Sequence, residues 1–172
     1  MLLILVVAKM EFKPISKANY SSVAKIYQDG ISTGVATFET KVPTWDVWSK
    51  AHLPFGCIAL FTNEGTMQGW ASLAAVSSRC VYGGVAEVSV YVAANARGKG
   101  YGKLLLKQLI TISEQNNIWT LQAGIMRANK ASLHLHKECG FREIGYREKI
   151  GRLNGKWLDN IILERRSAIV GI

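Results

Sequence analysis

The sequence predicts a mixed α/β (α+β) fold, in which helices flank a central and mostly antiparallel sheet. Three observations carry that prediction. Val85–Val92 alternates cleanly, with Ala86, Val88, Val90 and Val92 on one side and Val85, Glu87, Ser89 and Tyr91 on the other. Other segments place apolar residues at helical spacing between capping residues and glycines. Finally, strand and helix patterns are interleaved along 172 residues, a length that one compact domain with one core accommodates.

Taken in order, residues 11–15 read as a short strand. Ser16 then caps a helix whose apolar residues Val23, Ala24, Ile26 and Tyr27 recur until Gly30. Residues 31–40 are rich in Thr, Ser and Gly around an isolated Phe38, and Pro43-Thr44 introduces a second short helix through Trp45 and Trp48. The two tryptophans read as packing rather than as a platform for stacking bases. Strands over residues 57–61 and 67–76 flank Asn63-Glu64-Gly65-Thr66, a hairpin turn with glycine where positive φ is needed. After the strand Val85–Val92 come a helix over 102–115, a strand over 118–125, a helix over 130–139 stopped by Gly140, and strands over 141–150 and 156–164. No repeat, low-complexity tract or proline-rich linker marks a boundary, so residues 10–166 read as a single domain. The apolar opening over residues 1–7 lacks preceding basic residues and is too short to span a bilayer. Residues 1–9 read as an N-terminal extension before an alternative start at Met10, with a first strand as the competing reading.

Hydrophobic residues make up 49% and charged residues 19%, which excludes a disordered chain. The net charge of +9 attracts anions by long-range steering and leaves nucleic acid, phosphate-rich cofactors and acidic surfaces open. No run of five basic residues occurs, so a dedicated nucleic-acid groove is weakly supported. Cys57, Cys80 and Cys139 are widely spaced, with no C-x-x-C pair for zinc or redox chemistry, which fits a reduced cytoplasmic setting and no metal.

Arg97-Gly98-Lys99-Gly100-Tyr101-Gly102 joins a strand to an amphipathic helix. A glycine-rich turn there aims several backbone N–H groups, reinforced by the helix N-terminus and two cations, at an anion such as a diphosphate. The loop matches neither the P-loop pattern nor the G-x-G-x-x-G order of dinucleotide folds, which disfavours nucleotide hydrolysis.

These residues resemble the GNAT superfamily of acyl-CoA-dependent N-acetyltransferases, whose signature [Q/R]-x-x-G-x-G/A is matched by Arg97, Gly100 and Gly102. Asn129, Leu133, His136, Gly140 and Phe141 are similar to the family's second cofactor segment, and the resemblance spans about residues 11–165. Ala36-Thr37-Phe38-Glu39-Thr40, Glu87-Val88-Ser89-Val90-Tyr91-Val92 and Gly155-Lys156-Trp157-Leu158-Asp159 resemble the phosphinothricin and methionine sulfoximine branch, which acetylates small amino-acid analogues. The resemblance implies a GNAT-type sheet splayed at the fourth strand near Val92, with acetyl-CoA as cosubstrate. The backbone of Val90, Tyr91 and Val92 would hold its pantetheine arm, Arg97, Gly98, Lys99, Gly100, Tyr101 and Gly102 the pyrophosphate, and Asn129 a further part. Phe38, Arg79 and Tyr82 would bind the acceptor, and a homodimer is implied. A second arginine common in that branch is Ser77 here.

Acetyl transfer to an amine needs a base, because the acceptor is protonated at neutral pH; Glu87, on the more polar face of its strand, is the candidate. The competing reading is a solvent-facing strand glutamate. In the helix over 130–139, Ser132, Leu133 and His136 share a side with Asn129, while His134 falls among Lys130, Lys137 and Glu138. His136 is thus either the acid that protonates the departing thiolate or a hydrogen-bonded structural histidine. A guanidinium such as Arg79 is a natural clamp for a carboxylate. Catalysis through Cys80 or Cys139 lacks an evident activating base. The expected reaction is direct acetyl transfer in a ternary complex to a small amino-acid-like amine, with no membrane or nucleic-acid partner. The alternatives are another amine acceptor (antibiotic, polyamine or protein N-terminus) or a non-catalytic anion- or nucleic-acid-binding module.

Overall fold

The computed structural model describes residues 10–172, and the expected extension over residues 1–9 lies outside the described residues. The elements follow in the order β1 (Glu11–Pro14), α1 (Tyr20–Ser32), α2 (Trp45–Ala51), β2 (Cys57–Phe61), β3 (Met67–Ala75), β4 (Val85–Val92), α3 (Tyr101–Gln115), β5 (Thr120–Met126), α4 (Lys130–Glu138), β6 (Arg142–Leu153) and β7 (Lys156–Arg166). The seven strands form one sheet in the order β1-β2-β3-β4-β5-β7-β6, antiparallel throughout except for the parallel β4–β5 pair. The predicted mixed, mostly antiparallel sheet with flanking helices is therefore the observed one.

Several boundaries differ from the sequence reading for physical reasons. Ser16 does not cap α1. Asn19 occupies that position, its Oδ1 accepting from the Ser16 N–H at 2.9 Å while its Nδ2 donates to the Pro14 carbonyl, which folds the strand-to-helix turn. Gly30 does not end α1, which runs on to Ser32; glycine is there for close approach, since a Cβ would sit 2.8 Å from the Tyr91 ring. β5 starts at Thr120 rather than Ile118, because the Ile118 N–H still donates to Ser113 at the end of α3. β6 extends to Leu153 because Asn154-Gly155, with φ of 48° and 80°, makes a two-residue turn that lets Leu153 pair with Lys156.

The sheet buries both faces, as alternation along β2 requires. On one face Ile58 and Leu60 join Leu73, Val88 and the α3 residues Leu105, Leu106 and Leu109. On the other, Ala59 and Phe61 join Val23 and Ile26 of α1, Trp48 of α2 and Trp70 of β3. Trp48 is only 2% exposed and packs edge-on against Trp70, while Trp45 is partly buried against the same cluster, so both tryptophans serve packing.

The feature that positions the site is a short ladder. β4 and β5 pair only at Val85↔Thr120, Ala86↔Leu121 and Glu87↔Gln122, while β5 stays paired with β7 along its whole length. From Val88 onward β4 has no neighbour on that side, so the splay expected near Val92 runs from Val88 to Val92.

Candidate active site

Backbone hydrogen bonds fix which groups of β4 face the opening. The Thr120 N–H donates to the Gly84 carbonyl (3.1 Å) and the Ala93 N–H donates to the Gln68 carbonyl (2.9 Å). Backbone groups alternate between the two edges of a strand, so even-numbered residues of β4 face β5 and odd-numbered ones face β3. Val88, Val90 and Val92 therefore turn their amide and carbonyl groups into the splay, whereas the Tyr91 backbone serves the β3 ladder. The Arg97 Nε donates to the Val92 carbonyl at 3.4 Å, tying the next loop to this free edge. Tyr91 contributes its side chain instead, stacked on Trp70 with ring centroids 4.5 Å apart. Burial pushes its phenol well above the usual tyrosine range.

A cleft of about 820 Å³ occupies the splay. Among the residues lining it are Phe38, Glu87, Val90, Tyr91, Val92, Arg97, Gly98, Gly100, Tyr101, Gly102, Asn129 and His136, nearly all of the site residues anticipated from the sequence. Three do not line it: Lys99, which is exposed beside its mouth, and Arg79 and Tyr82, which are exposed before β4 and lie against each other, guanidinium carbon 5.6 Å from the ring centroid.

The loop before α3 turns on two glycines in the left-handed region. Gly98 and Gly100 have φ of 76° and 82°, and a Cβ at either would meet nothing within 4 Å, so conformation rather than crowding requires glycine there. Gly100 precedes α3 without a side-chain cap, and no acid stands in the first turn. The leading N–H groups of α3 thus point unopposed toward the cleft, where they and Arg97 suit a diphosphate. The free edge of β4 suits an extended amide-bearing arm, so the residues present fit acetyl-CoA.

Asn129 caps α4, its Oδ1 accepting from the Ser132 N–H at 3.1 Å. That helix buries His136 (4% exposed), whose Nδ1 lies 2.8 Å from the Ser132 carbonyl and must donate to it. The neutral tautomer so defined leaves a lone pair on Nε2, and burial holds the imidazole below its ordinary pKa despite the Ser132 bond. His134 instead lies 3.6 Å from Glu138 on the exposed side of the helix. Neither Cys80 nor Cys139 lines the cleft, and burial pushes the Cys139 thiol up, away from the thiolate that covalent catalysis needs.

Glu87 is exposed on its side chain, at the last paired position before the splay. Across the floor, a Cβ on Gly124 of β5 would lie 3.5 Å from Glu87 Oε1 and 3.6 Å from Nδ2 of Asn160 on β7. The sequence reading missed Gly124 and Asn160. The available signal was a lone amide in the stripe Leu158, Asn160, Ile162 of β7. Phe38 reaches the cleft because Gly151 of β6 leaves room for its ring, which a Cβ there would meet at 2.5 Å.

The comparisons with known proteins agree with this geometry. Residues 23–141 match the family model described as the acetyltransferase (GNAT) family. Phosphinothricin N-acetyltransferase of Alcaligenes faecalis is 32% identical over 153 residues, covering 84% of this chain and 76% of its own. An L-methionine sulfoximine/L-methionine sulfone acetyltransferase of Pseudomonas paraeruginosa is 31% identical over 147 residues, covering 83% of this chain and 86% of its own. A GNAT superfamily phosphinothricin acetyltransferase of Sinorhizobium meliloti, solved in complex with acetyl-CoA, superposes with a TM-score of 0.85 at 27% identity over 94% of this chain and 90% of that one. A strand that loses its neighbour at Glu87, a positive-φ glycine loop leading into α3 and a match over residues 23–141 coincide on one conclusion: the chain belongs to the GNAT family and is an acetyl-CoA-dependent N-acetyltransferase.

Proposed function

We propose that this enzyme moves the acetyl group of acetyl-CoA directly to the amino group of a small amino-acid-like acceptor of the phosphinothricin or methionine sulfoximine type. The observation that carries the proposal is the position of Glu87, a carboxylate at the point where β4 leaves β5, on the floor of the cleft. The relatives' names supply the acceptor class.

Acetyl-CoA supplies an activated thioester, and the chain supplies position and proton transfer. Val90 and Val92 hold the extended arm by their free backbone groups, and residues 97–102 take the diphosphate. Glu87 accepts a proton from the acceptor amine, directly or through a water, leaving a lone pair for attack on the thioester carbon. N–H groups on the free edge of β4 face the carbonyl oxygen as negative charge develops on it. His136, neutral with its proton on Nδ1, serves as an acceptor at Nε2 and carries no proton there to give a thiolate. Its role in this proposal is to shape the cofactor wall: as the C–N bond forms and the C–S bond breaks, the attacking nitrogen sheds its second proton to water or to the departing thiolate.

A homodimer is part of this reading. Its support is β6, the edge strand, which exposes Ile144, Tyr146 and Ile150. The Arg79–Tyr82 loop, exposed and outside its own cleft, is the segment that would serve a partner's acceptor site. Three unpaired cysteines and, among the described residues, no helix able to cross a membrane support a cytoplasmic setting.

Free-thiol release from acetyl-CoA, measured across phosphinothricin, methionine sulfoximine, methionine sulfone, common amino acids and polyamines, tests the proposal. Release with the first three supports it. Release with polyamines alone moves the acceptor class, and silence across the panel with acetyl-CoA still bound leaves only the family assignment.

A further inference from the structure

We infer that Asn160 selects the acceptor, its side-chain amide donating from Nδ2 to an oxygen that the acceptor carries next to its amine, such as an α-carboxylate. The inference rests on the acceptor reading above and names the group that recognises it.

An amide in this position is costly. Asn160 Oδ1 is fully buried with no hydrogen-bond partner, which is the cost of turning Nδ2 toward the cleft. Buried polar groups are almost always paired, and leaving one orphaned costs about 1–3 kcal/mol. Its neighbours in the same stripe, Leu158 and Ile162, are apolar, so a leucine would fill the place without that cost. The amide lines the cleft and is turned so that Nδ2, not Oδ1, borders the Gly124 floor. That orientation suits the carboxylate across the floor, because an amide oxygen facing Glu87 would set two acceptors against each other.

The floor thus has an acceptor, Glu87 Oε1, on one side and a donor, Asn160 Nδ2, on the other, both within 3.6 Å of the point where a Cβ on Gly124 would stand. The complementary ligand has an N–H beside an oxygen acceptor on a small framework, which is the head of an α-amino acid. No arginine of the Arg79 loop reaches this floor, and the position two residues before it is Ser77; of the side-chain donors that line the cleft, Asn160 is the one that borders Gly124 opposite Glu87. Gly124 keeps the space between the two groups free for the head group.

The test compares two acceptors, L-methionine sulfone and the same amine without its carboxylate, 3-(methylsulfonyl)propan-1-amine, in wild type, Asn160→Leu and Asn160→Asp. For methionine sulfone the acceptor KM should rise about tenfold in Asn160→Leu and further in Asn160→Asp, where a second carboxylate repels it. The KM values for the decarboxylated amine and for acetyl-CoA should stay within about twofold, and the Asn160→Leu melting temperature should equal or exceed that of wild type. Equal changes for both acceptors, or none, overturn the inference and leave the oxygen to another group such as Arg79. A wild type that binds acetyl-CoA but acetylates neither compound overturns the acceptor reading itself, and this inference with it.

Discussion

The two halves of β4 share one alternating pattern and do different work. Over residues 85–87 the strand is paired with β5, and at Ala86 and Glu87 with β3 as well, and its role is to hold the sheet together. Over residues 88–92 the β3 ladder continues but the other edge is bare, because β5 remains with β7. Burial alternates as far as Val88 and is intermediate at every residue from Ser89 to Val92, and the difference originates in the backbone pairing. An unpaired run of N–H and C=O groups inside a fold is costly unless something binds it, which is the part the proposed cofactor arm would play. Glu87 stands at the junction, the last paired residue and the first group the cleft presents.

The comparison breaks most sharply at that junction. Glu87→Gln should lower kcat by about 10²- to 10⁴-fold, the usual contribution of a general base, with the KM for acetyl-CoA unchanged. Steady-state kinetics at saturating acceptor measure it, and an unchanged kcat would remove Glu87 from the mechanism.

Next in size is a change confined to the paired half. Just before β4, a Cβ on Gly84 would fall 2.0 Å from the Trp119 ring, so Gly84→Ala must displace the start of β5. It should cost about 1–3 kcal/mol and lower Tm by several degrees, while the folded fraction keeps its acetyl-CoA affinity. Thermal melts with and without acetyl-CoA separate the two quantities.

The reverse signature belongs beyond the splay. Gly100 has φ of 82°, and Gly100→Ala should weaken acetyl-CoA binding about tenfold by forcing the loop out of the left-handed region, with a smaller effect on Tm because nothing packs on that Cβ. Calorimetric titration with acetyl-CoA reads this directly, and a variant that melts early but binds normally would contradict the division between the halves.

The smallest effect concerns His136. Burial lowers its pKa in the folded state from the ordinary 6.5, so the unfolded chain takes up its proton first as pH falls. Its stabilising contribution is complete above about pH 6.5 and declines as the pH drops from there toward the folded-state value. His136→Asn keeps a donor for the Ser132 carbonyl and should flatten the fall of Tm on the acid side. It should not abolish it, because His52 is also held below its ordinary value by burial. Melts between pH 7.5 and 5 check the slope; an unchanged slope would mean that His136 does not govern it.

Much of this was legible in the chain because it depends on local rules. Alternation sets Glu87 on the polar side of β4, closely spaced glycines between a strand and a helix mark the candidate anion loop, and helical periodicity separates buried His136 from exposed His134. Each is decided within a few residues by backbone geometry and side-chain spacing. Misread boundaries came where a contact outside the repeating pattern intervened, near in the chain or far. Gly30 looks like a helix stop until the Tyr91 ring occupies the space its missing Cβ leaves, and Ile118 looks like strand until Ser113 claims its N–H.

The sequence alone therefore determined the element order, the candidate diphosphate loop, the candidate base and the resemblance to a family. Where β4 parts from β5, which amides of β4 face the gap, and the meeting of Glu87, Gly124 and Asn160 on one floor depended on tertiary structure. The physical reason is that these facts are registers between strands far apart in the chain. Register is set by the summed pairing and packing of the whole sheet, and no window of sequence contains it.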